Sequence, residues 1–141
     1  MTALLDTNII MDALQERQPF DTPAKEILLR AQNGELKCCF TANAATDIFY
    51  LYGKARDLGS AKSALNYLLI NYDVVSVSHE DCIKALSLPI DDFEDALVAV
   101  CAERSGVDYI VTRDEKFLGG ESIVPLISPD ELLEKLILIR N

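Results

Sequence analysis

Short apolar segments alternate with helical segments along the whole chain, and this order constrains the fold more than any other feature. Each strand-like run is apolar enough to be buried on both faces, as in a mainly parallel sheet. One or two helical segments separate each strand from the next, as parallel connections require. The predicted strands span residues 2–6, 36–41, 74–77, 109–112 and 123–127.

Capping residues indicate where the helices between these strands begin. Asp21-Thr22-Pro23 predicts a helix start, because Asp or Thr can cap a helix and proline suits its first turn. Ser128-Pro129-Asp130-Glu131 predicts the start of the last helix for the same reasons. The other predicted helices run from Asn8 to about Gln15, from Asn43 to Arg56, from Gly59-Ser60 past Leu69, over residues 79–87, and from Asp91 or Asp92 to Ser105.

The length and composition are typical of one domain. The 141 residues are half hydrophobic and about a quarter charged, a globular balance that allows a single core. We predict one α/β domain over residues 1–141, in three layers, with a central, mainly parallel β-sheet flanked by helices. The sequence contains no signal-peptide pattern and no apolar run of transmembrane length, so we expect a cytoplasmic protein with no membrane partner.

The four cysteines are not spaced like a zinc site or a redox pair. We expect them to be small buried hydrophobic residues in a reducing compartment. Cys38 and Cys39 are adjacent in a predicted strand, so their side chains should point to opposite faces of the sheet.

Four aspartates lie beside or within segments that should be buried: Asp6, Asp47, Asp95 and Asp114. Two of them follow predicted strands, and parallel sheets bind ligands outside the carboxyl ends of their strands. The other two lie on otherwise apolar sides of predicted helices. A carboxylate is costly to hold away from water unless its charge is compensated, and hard divalent cations prefer oxygen ligands. The four aspartates therefore predict a divalent-metal site.

For three of these aspartates, a purely structural role explains the sequence about as well as a metal-binding role does. Asp6 can cap a helix, Asp114 can be a turn residue, and Asp47 can be a solvated helix residue. Asp95 is harder to explain in this way, because its neighbours on the same side of the helix are apolar: Val98, Ala99 and Ala102. Asp92 lies one turn before Asp95 and is either a secondary member of the site or a helix cap.

Four segments, taken in order, carry a family resemblance: Leu4-Leu5-Asp6-Thr7-Asn8, the helix around Asp47, Asp92-Phe93-Glu94-Asp95-Ala96-Leu97 and Ile110-Val111-Thr112-Arg113-Asp114. They resemble the PIN-domain family, and within it the small VapC-like toxin ribonucleases. The likeness covers about residues 2–130. One position departs from the family pattern, because a glutamate is more common where this chain has Asp47. The shorter side chain reaches less far toward a metal ion.

The resemblance implies a metal-dependent endoribonuclease that hydrolyses RNA phosphodiester bonds. It implies that Asp6, Asp47, Asp95 and Asp114 gather around one or two Mg²⁺ or Mn²⁺ ions. Asn8 and Thr112 match polar positions that support such a site. If the chain is the toxin of a toxin–antitoxin pair, the resemblance also implies a small antitoxin partner and a homodimer.

The net charge of −10 is unfavourable for RNA binding, because phosphate backbones are bound by positive patches. Bound metal ions would cancel several of these charges, and the basic residues could be gathered on one side. Two alternatives remain. One is a PIN-like module that binds RNA or protein with weak or lost nuclease activity. The other is a receiver-like phosphoacceptor domain, which is less favoured because Asp6 is the only acid after the first strand and no suitable lysine follows the last.

Overall fold

The computed structural model describes the backbone of residues 1–140 and the side chains of residues 1–139. The strands are β1 Thr2–Leu5, β2 Lys37–Thr41, β3 Asp73–Val75, β4 Tyr109–Val111 and β5 Leu126–Ile127. The helices are α1 Thr7–Leu14, α2 Asp21–Gln32, α3 Ala42–Ala55, α4 Leu58–Asn71, α5 His79–Leu86, α6 Phe93–Ser105, α7 Glu115–Leu118 and α8 Pro129–Arg140.

The strands form one parallel sheet in the order β3-β2-β1-β4-β5. Helices cover both faces, which confirms the predicted three-layer α/β fold. This order differs from the 2-1-3-4-5 order of receiver-type folds, so it argues against the phosphoacceptor alternative. Within the described residues, no helix has both the length and the apolar character needed to cross a membrane.

Side chains that alternate along the strands build a core on each face of the sheet. Ala3 and Leu5 of β1 pack in the core formed with α1, α2, α3, α4 and α8. Leu4, between them, packs on the opposite face against α6 and α7. Cys38 lies in the first core and Cys39 in the second, which confirms that adjacent side chains point to opposite faces.

Helix α6 contains a long buried run, because every residue from 96 to 102 is buried. This middle part of the helix is apolar all round, and the solvated residues of the helix lie in its first and last turns. Asp95 immediately precedes this buried run and is itself only partly exposed. The helix therefore holds Asp95 at the border between the core and the solvent.

Several predicted boundaries were wrong, for local reasons. Helix α3 begins at Ala42 because the Thr41 side chain, at the end of β2, caps it, so Asn43 lies inside the first turn. Helix α4 is capped by Asp57, which accepts from the Ser60 N–H at 2.7 Å, and so begins before Gly59. Strands β3 and β5 are shorter than predicted, and the short helix α7 was not predicted.

Candidate functional site

The candidate site lies where β1 and β4 end side by side. Leu5 pairs with Val111 in the parallel register, so the next residues, Asp6 and Thr112, leave the sheet together. The Asp6 N–H still donates to the Val111 carbonyl at 2.9 Å. Strand β1 has β2 on one side and β4 on the other, which makes this a point where the strand order reverses. Open parallel sheets form their ligand crevice at such a point.

Asp6 lies at the base of this crevice and is 7% exposed. One of its oxygens accepts from the Thr7 N–H at 2.8 Å, and the other accepts from the Thr112 hydroxyl at 2.8 Å. The Thr112 oxygen in turn accepts from the Asp114 N–H at 3.1 Å. Thr112 therefore connects Asp6 to the turn that carries Asp114. Burial raises the pKa of Asp6, these hydrogen bonds oppose the rise, and the charges of Asp114 and Asp92 add to it.

Asp95 is drawn into the same electrostatic cluster. Its pKa is raised to about 7, first by burial and then by the charges of Asp92, Asp6, Asp114 and Glu94. Asp92 caps α6, since its side chain accepts from the Asp95 N–H at 3.0 Å. The structure therefore brings three predicted site residues and the secondary one close enough to repel each other.

Glu94 is a member of this cluster that the sequence did not reveal. Burial raises the pKa of Glu94, and Asp47, Asp6 and Asp92 raise it further, with a hydrogen bond to Asp47 contributing. Acids in the first turn of a helix are common because the helix dipole favours them, so Glu94 looked ordinary in the sequence. Through Glu94, Asp47 of α3 is connected to the carboxylates of the crevice.

The two residues predicted to support the site differ in their contacts. Thr112 is fully buried and bridges Asp6 and Asp114. The Asn8 side chain makes no hydrogen bond among the residues that the structure describes. Asn8 lies on the first turn of α1, after Asp6, which caps that helix. Its predicted supporting role therefore has no contact in the structure to explain it.

The chemistry of these side chains suits a hard divalent cation. All the donors are carboxylate or hydroxyl oxygens, which Mg²⁺ and Mn²⁺ prefer. The pKa values of Asp6, Glu94 and Asp95 are raised first by burial and then by neighbouring acids, and a bound cation would offset both effects. Within the described residues, no three His, Cys, Asp or Glu side chains are close enough together to form a ready-made metal-binding group. The donor types thus suit the ion, while their spacing is wider than in a finished metal site.

Beside the crevice lies a buried ion pair that the sequence did not predict. Asp12 of α1 is fully buried, and its carboxylate accepts from Arg113 Nε at 2.6 Å and Nη2 at 3.1 Å. Arg113 stands between Thr112 and Asp114 in the chain. The available signal was an aspartate inside the apolar helix Thr7–Leu14, where an unpaired charge is costly.

Comparison with known proteins identifies the class. The PIN-domain family model matches residues 2–116, and the chain belongs to the PIN-domain family. VapC members of this family are usually nucleases and generally use divalent metal ions. Comparison with curated proteins gives no significant match.

Solved structures share this fold. VapBC2 from Rickettsia felis, bound to a promoter DNA fragment, has a TM-score of 0.65 at 18% identity and covers 91% of this chain and 98% of that chain. A toxin–antitoxin complex from Klebsiella pneumoniae has a TM-score of 0.67 at 20% identity, and the match covers 90% of this chain and 97% of that chain. The sarcin-ricin loop cleaving toxin VapC20 from Mycobacterium tuberculosis has a TM-score of 0.69 at 13% identity, and the match covers 86% of this chain and 96% of that chain. At these identities the likeness concerns the fold alone.

Proposed function

We propose that this protein is an endoribonuclease of the VapC-like type that hydrolyses RNA phosphodiester bonds with Mg²⁺ or Mn²⁺. The observation that carries the proposal is that carboxylates from separate segments of the chain act on one another at the crevice between β1 and β4, where burial and these charges raise the pKa values of Asp6, Glu94 and Asp95. Carboxylates arranged in this way repel each other unless a cation is shared among them.

Asp6, Asp95 and Asp114 would hold the metal directly or through its waters, with Asp47 at the edge of the site beside Glu94. When bound, a divalent ion polarises the scissile phosphate and lowers the pKa of an attacking water. Thr112 supports the site because its hydroxyl donates to Asp6 and holds that carboxylate toward the crevice. Asp92 supports it by capping α6 and so fixing the turn from which Asp95 projects.

Glu94, at the side of the crevice near Asp47, is the residue suited to proton transfer. Glu94 has a raised pKa, caused first by burial and then by the charges of Asp47, Asp6 and Asp92. A carboxyl group whose pKa is closer to neutral exchanges protons more efficiently at physiological pH than an ordinary one. Glu94 can therefore take a proton from the attacking water at the side of the crevice.

The first experiment compares the wild-type protein with Asp95→Asn and Glu103→Gln. Both substitutions remove one negative charge from α6, but Glu103 lies at the far end of the helix, paired with Lys84. Mn²⁺ binding is measured by calorimetry, and cleavage is measured on a mixed RNA pool. We expect Asp95→Asn to abolish cleavage and to weaken Mn²⁺ binding at least tenfold, while Glu103→Gln behaves like the wild type.

Two other outcomes would contradict the proposal. Mn²⁺ binding by the wild type without cleavage of any RNA would favour the alternative of a binding module whose nuclease activity is lost. Wild-type protein that binds neither Mn²⁺ nor Mg²⁺ would mean that the carboxylates serve only as helix caps and surface charges.

We further propose that the protein is a toxin with a small antitoxin partner, and that it forms a homodimer. Similar folds occur in toxin–antitoxin complexes from Rickettsia felis and Klebsiella pneumoniae, which supports this role. Expression of the wild type alone in a bacterial host should arrest growth, because RNA is cleaved, and Asp95→Asn should relieve the arrest. Growth unaffected by abundant, active wild-type protein would argue for an RNA-processing role instead. Light scattering should give twice the chain mass of 15.6 kDa.

A further inference from the structure

Arg113 is held rigidly beside the candidate site. Its Nε and Nη2 donate to the buried carboxylate of Asp12 at 2.6 and 3.1 Å, in the fork arrangement that fixes a guanidinium in one plane. The Cζ atom also lies 4.0 Å from the centre of the Phe20 ring. Ion pairing on one edge and stacking on one face leave the guanidinium little freedom.

This arginine adds positive charge where the surrounding residues are acidic. Asp12 is shared with a second arginine, since Arg17 Nη1 lies 3.8 Å from its carboxylate. The neighbouring acids Glu16 and Asp21 contact Lys25 instead. Asp12 therefore has two guanidinium groups against its one carboxylate, so Arg113 is not fully neutralised by this partner.

Part of the Arg113 side chain faces solvent. The Arg113 side chain is 28% exposed, and Phe20, whose ring packs against the guanidinium, is 42% exposed. Asp12 uses Nε and Nη2, and within the described residues Nη1 makes no hydrogen bond. The guanidinium therefore has donors available for a ligand that arrives at the crevice.

An RNA strand needs such an anchor here. The chain has a net charge of −10, and the crevice is lined by carboxylates that repel a phosphate backbone. Arginine binds phosphate well because its planar fork matches phosphate oxygens. The pKa of Arg113 is raised first by its hydrogen bond to Asp12 and further by the charges of Asp6 and Asp114, so a phosphate bound to Arg113 lies within electrostatic reach of the proposed site.

We propose that Arg113, supported by Asp12 and Phe20, binds a phosphate of the RNA strand adjacent to the bond that is cleaved. This inference rests on the proposed ribonuclease function and names the residue that holds its substrate.

The test compares two double variants, in each of which both members of one ion pair are replaced by neutral residues. Asp12→Asn with Arg113→Gln removes the pair beside the site. Asp81→Asn with Arg104→Gln is the matched control, because Arg104 Nε and Nη2 also donate to one carboxylate, at 3.1 and 2.9 Å, at the opposite end of α6 from Asp95. Each double variant loses one positive and one negative charge, so the net charge stays the same. Thermal unfolding confirms that both variants are folded.

Binding of a fluorescent single-stranded oligoribonucleotide is measured by anisotropy in EDTA over a range of salt concentrations. We expect the Arg113 pair variant to bind about tenfold more weakly than the wild type, because one charged hydrogen-bonded contact is lost. Its slope of log affinity against log salt should be smaller by about 0.7, the value for one phosphate contact on a single strand. In cleavage assays KM should rise more than kcat falls. The control pair should bind like the wild type.

Equal binding by the wild type and the Arg113 pair variant would overturn the proposal, as would a wild type that does not bind the oligoribonucleotide. A variant with weaker Mn²⁺ binding but unchanged oligoribonucleotide affinity would show that the ion pair only positions the Asp114 turn. A wild type that binds RNA through Arg113 but cleaves none would remove the ribonuclease proposal and leave Arg113 as an RNA-binding residue.

A second measurement avoids variants that fail to fold. In the wild-type protein, the NMR signal of the Arg113 Nε–H should shift when the oligoribonucleotide is added, while that of Arg104 should not move. A stationary Arg113 signal at saturating RNA contradicts the proposal.

Discussion

At the scale of single residues, the functional carboxylates differ from the structural ones in whether a cationic side chain binds them, and not in how deeply they are buried. Asp6, Asp12 and Asp81 are 7%, 0% and 4% exposed. Asp12 is bound by Arg113, and the bonds from Arg104 and from the Ser78 N–H lower the pKa of Asp81. Among the described residues, Asp6 accepts side-chain hydrogen bonds from Thr7 and Thr112 and from no cation, and its pKa is raised. A buried acid without a cation is the pattern expected of a site that takes its cation from solution.

Burial of Asp95 and the acidic charges around it should make the metal-free protein more stable at mildly acidic pH. A carboxyl group whose pKa is raised on folding contributes stability below its unfolded value of 3.8 that is lost as the pH rises through the folded value, about 7 for Asp95. Three pKa units correspond to about 4 kcal/mol, which solvent screening of this partly exposed group reduces to about 1–2 kcal/mol. In EDTA, the free energy of unfolding should therefore be about 1–2 kcal/mol higher at pH 5 than at pH 8.

Urea unfolding of Asp95→Asn and Glu103→Gln checks this prediction. Asp95→Asn should be more stable than the wild type at pH 8 and should lose most of the pH dependence. Glu103→Gln should keep it. Parallel pH profiles for Asp95→Asn and the wild type would show that the Asp95 charge has no cost in the folded state.

At the scale of secondary structure elements, helix α6 carries the site because both its ends are well defined. Asp92 caps its start, and Gly106 ends it in the left-handed region with φ 68°. The buried face from Ala96 to Ala102 then fixes the position of the helix against the sheet. Any change that loosens either end should move Asp95 relative to Asp6.

Gly106→Ala should lower the free energy of unfolding by about 1 kcal/mol, because a side chain in the left-handed conformation is strained. A Cβ at this position would meet no atom within 4 Å, so the cost is conformational and not steric. Gly106→Asn should cost less, since asparagine tolerates this conformation. Chemical denaturation measures both variants. Equal stability of Gly106→Ala and the wild type would mean that the helix end rearranges without cost.

At the scale of the whole molecule, we propose that residues 1–141 form one cooperative domain, although the family model matches only residues 2–116. Helix α8 lies beyond that match, and its residues Leu132 and Leu136 are buried in the same core as Ala3, Leu5 and Phe40. Helix α8 also packs against α2, near the beginning of the chain. The core therefore joins both ends of the described chain.

Leu132→Ala should destabilise the whole domain by about 2–4 kcal/mol, because it leaves a cavity in the core. Thermal unfolding is monitored both by circular dichroism and by Mn²⁺ binding. Both signals should show a single transition, and Leu132→Ala should lower its midpoint temperature equally in both. Leu138→Ala, at an exposed position on the same helix, is the control and should change stability by less than about 0.5 kcal/mol. Two separate transitions would instead mean that α8 folds as its own unit.

Much of this organisation was readable in the sequence because it depends on local patterns. Apolar runs and capping residues predicted the order of strands and helices, and the alternation of side chains predicted the opposite faces of Cys38 and Cys39. Asp95 was a candidate because its helical neighbours are apolar, which helical geometry makes visible from spacing alone. The boundaries were less accurate where one residue serves two elements, as Thr41 ends β2 and caps α3.

Tertiary structure decided which of these charges meet. Asp6 and Asp92 are separated by most of the chain, and only the pairing of β1 with β4 and the position of α6 bring their charges together. The same is true of Glu94 with Asp47 and of Asp12 with Arg113, because the apolar helix around Asp12 indicates a buried charge but not the partner of that charge. Local propensities act over a few residues, whereas the energy of a carboxylate depends on distance and burial in the folded protein. The sequence by itself therefore determined the fold class and the candidate aspartates, and the fold decided which carboxylates repel each other and which are paired with arginine.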